Sequence, residues 1–175
     1  SNLYLGRTGP DAITGYMEDP GASNASVGHR SWIYHSTLTE VGIGDLPADA
    51  NWAANTLQVI DPQTAFGPQP EQREADGFVA WPVRGYNPGE LVFPRWSFTL
   101  RGATFEAAQV SVTRDGVAVA STVTHASTKA NGAPLPNIVW EPQGVDTRPA
   151  TDQTYLVEVS NVSVGAQKRT YRYEV

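Results

Sequence analysis

Residues 8–21, TGPDAITGYMEDPG, carry apolar side chains at helical spacing, since Ile13, Tyr16 and Met17 fall on one side of a helix. Pro10 suits a first helical turn, and the Thr-Gly before it supplies a capping position. The Asp-Pro-Gly at the end of the segment stops a helix. The pattern therefore predicts one short helix, with a polar loop after it.

A different pattern begins at residue 29, where HRSWIYHS alternates between the two sides of an extended chain. The alternation predicts a strand with His29 and His35 on one face and with Arg30 and Trp32 on the other. In a straight strand the two histidines would be separated by about 20 Å, too far to share a ligand. Two further short strands are predicted at TEVGIGD and NTLQVID, residues 39–45 and 55–61.

The segment Pro62–Gly77, PQTAFGPQPEQREADG, contains three prolines, two glycines and four charged residues. Such a composition is typical of a linker between folded units. It predicts a first domain over residues 1–61, a linker over 62–77 and a second domain over 78–175.

After the linker the pattern is that of strands alone. Asp115-Gly116 stands at the centre of a two-strand hairpin, as this dipeptide commonly does. Further strands are predicted in FVAWPV, RWSFTL, NIVWEP, TYLVEVSNV and RTYRYEV. About seven strands at this spacing predict an all-β sandwich of the immunoglobulin-like or fibronectin type III-like kind.

Composition and charge narrow the range of functions. The 175 residues include 16 Gly and 13 Pro, which favours strands joined by many turns over a helical protein. The net charge of −6 is uneven, because residues 1–76 carry −7 and the remainder +1. An acidic first part with no basic patch elsewhere argues against nucleic acid as a partner. No apolar run approaches the roughly 20 residues of a membrane span. The absence of Cys excludes disulfides and thiolate metal sites.

Three short motifs follow one another in an order that resembles the second half of a bacterial CAP-superfamily domain, the family of cysteine-rich secretory, antigen 5 and pathogenesis-related 1 proteins. They are GYMEDPG, which contains Tyr16, then Gly28-His29-Arg30, then Gly42-Ile43-Gly44. The resemblance covers Ser1 to Asp61 and implies part of an α-β-α sandwich, with one helix and about three strands. The β-sandwich that follows resembles the extra domain of some secreted members. A mixed fold class is therefore expected, a partial CAP-like domain followed by an immunoglobulin-like domain.

The resemblance also implies a site. In that family two histidines and two acidic residues meet in an open cleft, which binds a divalent metal in some members. It implies that His29 is a cleft histidine and a candidate zinc ligand, with Asp19 as a nearby acid, although the family pattern has Ser there. Arg30 is expected to pair with Asp19 or Glu18. The alternative is a structural role, in which His29 forms a hydrogen bond with a neighbouring carbonyl and caps the sheet.

The first half of the family's fold, with the other histidine and glutamate, has no counterpart in the sequence. The resemblance therefore implies the C-terminal part of a longer protein, extracellular or at the cell surface, with the missing N-terminal half as one partner. The leading interpretation is a non-catalytic module that binds a ligand, a protein or the cell wall through the cleft.

Two alternatives remain open. One is a metal-assisted extracellular hydrolase completed by upstream residues, and the other is an adhesion or carbohydrate-binding β-sandwich spacer. No serine-hydrolase elbow, zinc-protease motif or nucleotide-binding loop is present, so no catalytic residue is predicted.

Overall fold

The computed structural model of the chain describes residues 1–35, 38, 40–49, 52–60, 77–129 and 135–175. The chain divides into two compact units, Ser1–Ala75 and Asp76–Val175. The predicted linker, residues 62–77, lies outside the described residues except for Gly77.

The first unit contains a three-stranded antiparallel sheet and two short α-helices. The sheet has the order β1-β3-β2, so the last strand in sequence lies in the middle. The elements are β1 (Asn2–Leu5), α1 (Gly9–Glu18), α2 (Gly28–Ile33), β2 (Gly42–Leu46) and β3 (Ala54–Gln58). The predictions of α1, β2 and β3 are confirmed, whereas β1 was not predicted.

The strand predicted from residue 29 is wrong, because Gly28–Ile33 form the helix α2. Trp32 and Ile33 are neighbours in sequence, and both pack against the core of the first unit. A strand would direct neighbouring side chains to opposite faces, whereas a helix can direct both to one side. The apparent alternation of HRSWIYHS therefore had no structural meaning.

The small core of the first unit lies on one face of its sheet. Ala12 and Tyr16 of α1 pack there against Leu57 and Val59, and Trp32 of α2 joins them. Gly15 allows α1 to lie close to β1, because a Cβ atom at this position would be 2.3 Å from the Tyr4 ring.

The opposite face of the same sheet presents leucines to solvent. Leu3 lies opposite Thr56 in the register, and Leu5 and Leu46 both lie opposite Ala54, so all three leucines point away from the helices. Each is exposed for 58–64% of its surface. Within the described part of the chain, helices therefore cover one face of the sheet.

The second unit is built from two antiparallel sheets. One has the order β4-β5-β10-β9, and the other has the order β12-β11-β7-β8, with β6 paired to β11. The strands are β4 (Val79–Trp81), β5 (Trp96–Thr99), β6 (Ala103–Thr104), β7 (Gln109–Arg114), β8 (Val117–Val119), β9 (Ser121–Ala126), β10 (Asn137–Pro142), β11 (Tyr155–Val164) and β12 (Gln167–Glu174). The predicted hairpin at Asp115-Gly116 joins β7 to β8, as expected.

Both sheets contribute side chains to one large aromatic core. Trp96 of β5 lies edge-on to Trp140 of β10, with ring centroids 6.4 Å apart, and edge-on to Tyr155 of β11 at 5.4 Å. Phe98 and Phe105 are completely buried beside them. This core is much larger than that of the first unit, so we expect it to supply most of the stability of the chain.

The predicted fold class, a partial α-β-α CAP-like domain followed by an immunoglobulin-like or fibronectin type III-like sandwich, is wrong as a description of the chain. Among the described residues the fold is mostly β, with 42% of them in the strands of three sheets. The two α-helices within the described residues are ten and six residues long and pack on one face of their sheet. For the first unit, an α-β-α sandwich would need helices on both faces of the sheet. For the second unit, the number and spacing of the predicted strands do not specify which strands pair.

Tyr173 of β12 carries a buried hydroxyl with no hydrogen-bond partner among the described residues. Burial raises the pKa of this hydroxyl above its usual range. A buried polar group without a partner costs about 1–3 kcal/mol. We therefore predict that Tyr173→Phe increases the free energy of unfolding by about 1 kcal/mol in denaturant titrations.

The same substitution should also change the response to alkaline pH. The unfolded state ionises near the ordinary tyrosine pKa of about 10, while the folded state keeps Tyr173 protonated, so stability falls as pH rises above this value. Above this pH, the free energy of unfolding of Tyr173→Phe should fall by about 1.4 kcal/mol less per pH unit than that of the wild type. Tyr171→Phe, on the same strand but only partly buried, is the control. A Tyr173→Phe variant less stable than wild type at neutral pH would contradict this account.

Candidate functional site

The site begins with the hydrogen bonds that hold α1 on the sheet. The Tyr16 hydroxyl donates to the side-chain oxygen of Asn55 at 2.8 Å, and the Asn55 amide donates to Asp45 at 2.8 Å. Asp45 also accepts the backbone N–H of Gly9, the first residue of α1, at 3.0 Å. The hydrogen bonds from Asn55 and Gly9 lower the pKa of Asp45. These contacts attach both the first residue of α1 and, through Tyr16, its last turn to the sheet.

Asp19 terminates α1 and directs its carboxylate inward. Its backbone is left-handed, with φ 52°, and its N–H donates to the Gly15 carbonyl at 2.9 Å. Aspartate tolerates this conformation better than most residues. The Asp19 side chain is completely buried. An acid buried at this depth needs hydrogen-bond partners.

The turn before α2 brings those partners to Asp19. Val27 has a left-handed backbone, with φ 47°, although it is β-branched and completely buried. This conformation is disfavoured by about 1–3 kcal/mol and persists where the surroundings impose it. The turn starts α2 at Gly28, so the next residue, His29, presents its backbone N–H in the first turn of the helix.

Asp19 holds His29 through two hydrogen bonds. One carboxylate oxygen, Oδ2, accepts the His29 backbone N–H at 2.9 Å, and the other, Oδ1, lies 2.8 Å from the imidazole Nδ1. A carboxylate accepts hydrogen bonds and does not donate them, so Nδ1 carries the proton. In the neutral form of the imidazole, Nε2 is then left with a lone pair. The His29 side chain is 34% exposed, so part of the ring is accessible to a ligand.

The Arg30 side chain makes a second set of hydrogen bonds between α2 and the end of α1. Its guanidinium Nε donates to the Met17 carbonyl at 2.6 Å, and one of its terminal nitrogens donates to the Glu18 carbonyl at 3.3 Å. These carbonyls belong to the last turn of α1, where a cation is favourable. The residue is almost completely buried. Arg30 therefore positions the site and is not presented to a ligand.

Two neighbours complete the surroundings of His29. The Tyr16 ring lies 5.6 Å from the imidazole, centroid to centroid. The Asn2 side-chain amide donates to the His29 backbone carbonyl at 3.0 Å. Sequence reasoning missed both contacts, since they depend on how β1 and α1 pack against α2.

The other predicted site residues have smaller roles. Glu18 contributes its backbone carbonyl to Arg30, and its carboxylate makes no polar contact within the described part of the chain. His35, which the predicted strand placed on the same face as His29 but too far away to share a ligand, lies just after α2. Its ring stacks on Trp32, with centroids 5.7 Å apart.

The predicted zinc site does not fit these residues. Zinc needs three or four donors at about 2.0–2.3 Å. His29 Nε2 is one such donor, but both oxygens of Asp19 already face His29. Among the described residues no group of three or more His, Cys, Asp or Glu side chains is arranged to hold a metal. We therefore assign no function to a metal at this site.

Arg30 provides a test of how the site is built. We predict that Arg30→Met lowers the free energy of unfolding of the first unit by about 2–3 kcal/mol, since hydrogen bonds to charged groups are worth about 1.5–3 kcal/mol. Amide hydrogen exchange should become faster in the last turn of α1. Arg7→Met is the control, because Arg7 is exposed and lies over the Tyr4 ring. Equal effects of the two substitutions would show that Arg30 does not hold the end of α1.

No helix in the described ranges is long and apolar enough to cross a bilayer. No protein-family model matches the chain, and no curated protein matches it. The likeness to CAP domains therefore rests on three short motifs, and the function must be argued from the geometry around His29.

Proposed function

We propose that the first unit is a non-catalytic binding module of a secreted or cell-surface protein, and that it contacts its ligand through Nε2 of His29. The observation that carries this proposal is the pair of hydrogen bonds that the buried Asp19 carboxylate accepts from His29. They fix both the orientation and the proton position of the ring. A contact group fixed in advance loses little entropy when a ligand binds.

The chemistry of Nε2 determines which group the ligand must present. An unprotonated imidazole nitrogen accepts a hydrogen bond, so the ligand presents an N–H or O–H group. The strongly acidic first part of the chain would repel polyanions, which makes nucleic acid an unsuitable partner. Cell-wall material meets this requirement, because its peptides and sugars are rich in such donors.

A metal-assisted hydrolase completed by upstream residues is the second candidate. It is supported by the same Asp19–His29 pair, because a carboxylate that orients a histidine is part of many hydrolytic sites. The described residues form no group of three or more His, Cys, Asp or Glu that could hold the metal such an enzyme needs, and they supply no hydroxyl nucleophile to this pair. The Ser31 hydroxyl donates to the Val27 carbonyl at 2.9 Å, and no serine bonds to the His29 ring within the described part. Binding without turnover therefore has the better support.

The third interpretation, a spacer for adhesion or carbohydrate binding, concerns the second unit. It stays a prediction, because no contact among the described residues of that unit is specific to adhesion. It is compatible with a binding role for the first unit.

Co-sedimentation with purified peptidoglycan tests the proposal. We predict that the full chain binds and that His29→Gln weakens binding by about two- to tenfold, since a neutral hydrogen bond contributes about 0.5–1.5 kcal/mol. His35→Gln, which changes the same residue type nearby, should bind like wild type. Zinc or a chelator should have no effect.

Release of soluble fragments is measured in the same samples. No release is expected from wild type. Fragments that appear with wild type and disappear with His29→Gln would establish the hydrolase instead. Equal binding by wild type and His29→Gln would show that His29 only joins the two helices.

A further inference from the structure

A cavity of about 310 Å³ opens in the second unit, between the loop that follows β4 and the loop before β11. The first loop contributes Tyr86 and Glu90, and the second contributes Asp146, Arg148 and Asp152. None of these residues belongs to the His29 site, and the cavity lies within one unit. The volume is near the lower limit for small-molecule pockets, about 300 Å³, so it suits one small group.

The two loops that form the cavity are held in place. A Cβ atom on Gly89 would lie 2.6 Å from the Thr147 carbonyl oxygen, so the loops touch backbone to backbone. The Asn87 side-chain amide donates to the carbonyls of Val83 and Gly85, each at 2.8 Å, which fixes the turn around Tyr86. The Tyr86 ring is nevertheless 80% exposed. An aromatic ring on a fixed loop at the mouth of a cavity is available to a ligand.

The floor of the cavity is apolar and aromatic. Val92, Trp96 and Tyr155 form it, and all three are buried. The Trp96 indole N–H is itself buried, so it presents no donor to the cavity. Such a floor favours a ligand with an apolar part.

The rim of the cavity carries an excess of negative charge. Arg148 is its one cation among the lining residues, and its guanidinium pairs with Glu90 at 3.3 Å. One oxygen of Asp146 accepts the Arg148 backbone N–H at 2.8 Å, which leaves the other free. The Asp152 carboxylate makes no polar contact within the described part of the chain. The polar atoms left for a ligand at the rim are therefore mostly anionic acceptors.

We propose that this cavity binds a primary alkylammonium group, such as the end of a lysine side chain or of an alkylamine. The ammonium would donate to Asp152 and Asp146, and Tyr86 would add a cation–π contact. The alkyl chain would cover the apolar floor. A sugar would need donors as well as acceptors from the rim, and an anion would face two uncompensated carboxylates, so both fit less well.

NMR titration of the full-length chain with n-butylammonium tests this proposal. We expect binding in the millimolar range, with shifts of the Tyr86 and Asp152 amides and of the Trp96 indole N–H. Asp152→Asn should weaken binding about three- to fivefold, and Tyr86→Ala about two- to fivefold. Raising the salt concentration should weaken binding further.

Matched controls separate the proposed site from non-specific attraction. Glu106→Gln removes the same charge near β6, which pairs with the opposite end of β11 from Tyr155, and it should leave binding unchanged. Neutral n-butanol and methyl glucoside should cause no comparable shifts. The proposal is overturned if butylammonium causes no shifts in these residues, if Glu106→Gln weakens binding as much as Asp152→Asn, or if methyl glucoside binds more tightly.

Discussion

The arrangement of the first unit depends on one buried carboxylate. Asp19 ends α1 and accepts two hydrogen bonds from His29, while Arg30 donates to the last carbonyls of the same helix. A buried acid without partners would be strongly unfavourable, so the position of α2 is coupled to the end of α1. Gly28-His29-Arg30 is thus primarily a joint between two helices. The open edge of the imidazole is a consequence of that joint.

The two units differ in how they gain stability. The second buries a large aromatic core between two sheets, and its loops form a small acidic cavity over that core. The first buries few apolar side chains and relies on polar contacts that run from Gly9 to Asp45, Asn55 and Tyr16. Polar networks whose members are all hydrogen-bonded make a structure rigid and specify one arrangement. A unit built in this way suits a site whose groups must be held in position.

The sequence predicted individual helices and strands better than it predicted how they pack together. Local signals located α1, through Pro10 and the Asp-Pro-Gly after it, and located the β7–β8 hairpin at Asp115-Gly116. Asp19 and His29 were both named as site residues from a motif resemblance. The helix at residues 28–33 was misread as a strand, because its six residues are too few for the helical period to show. The contacts of Asn2 and Tyr16 with His29 depend on long-range packing and left no local signal.

Nitrogen NMR of the His29 ring tests the central claim most directly. At mildly alkaline pH, where imidazoles are neutral, the account predicts that His29 carries its proton on Nδ1 and leaves Nε2 unprotonated. In Asp19→Asn this preference should weaken, because an amide can present either a donor or an acceptor to the ring. His35 should show no change between the two proteins. A wild-type His29 protonated mainly on Nε2 would contradict the claim that Asp19 fixes the ring.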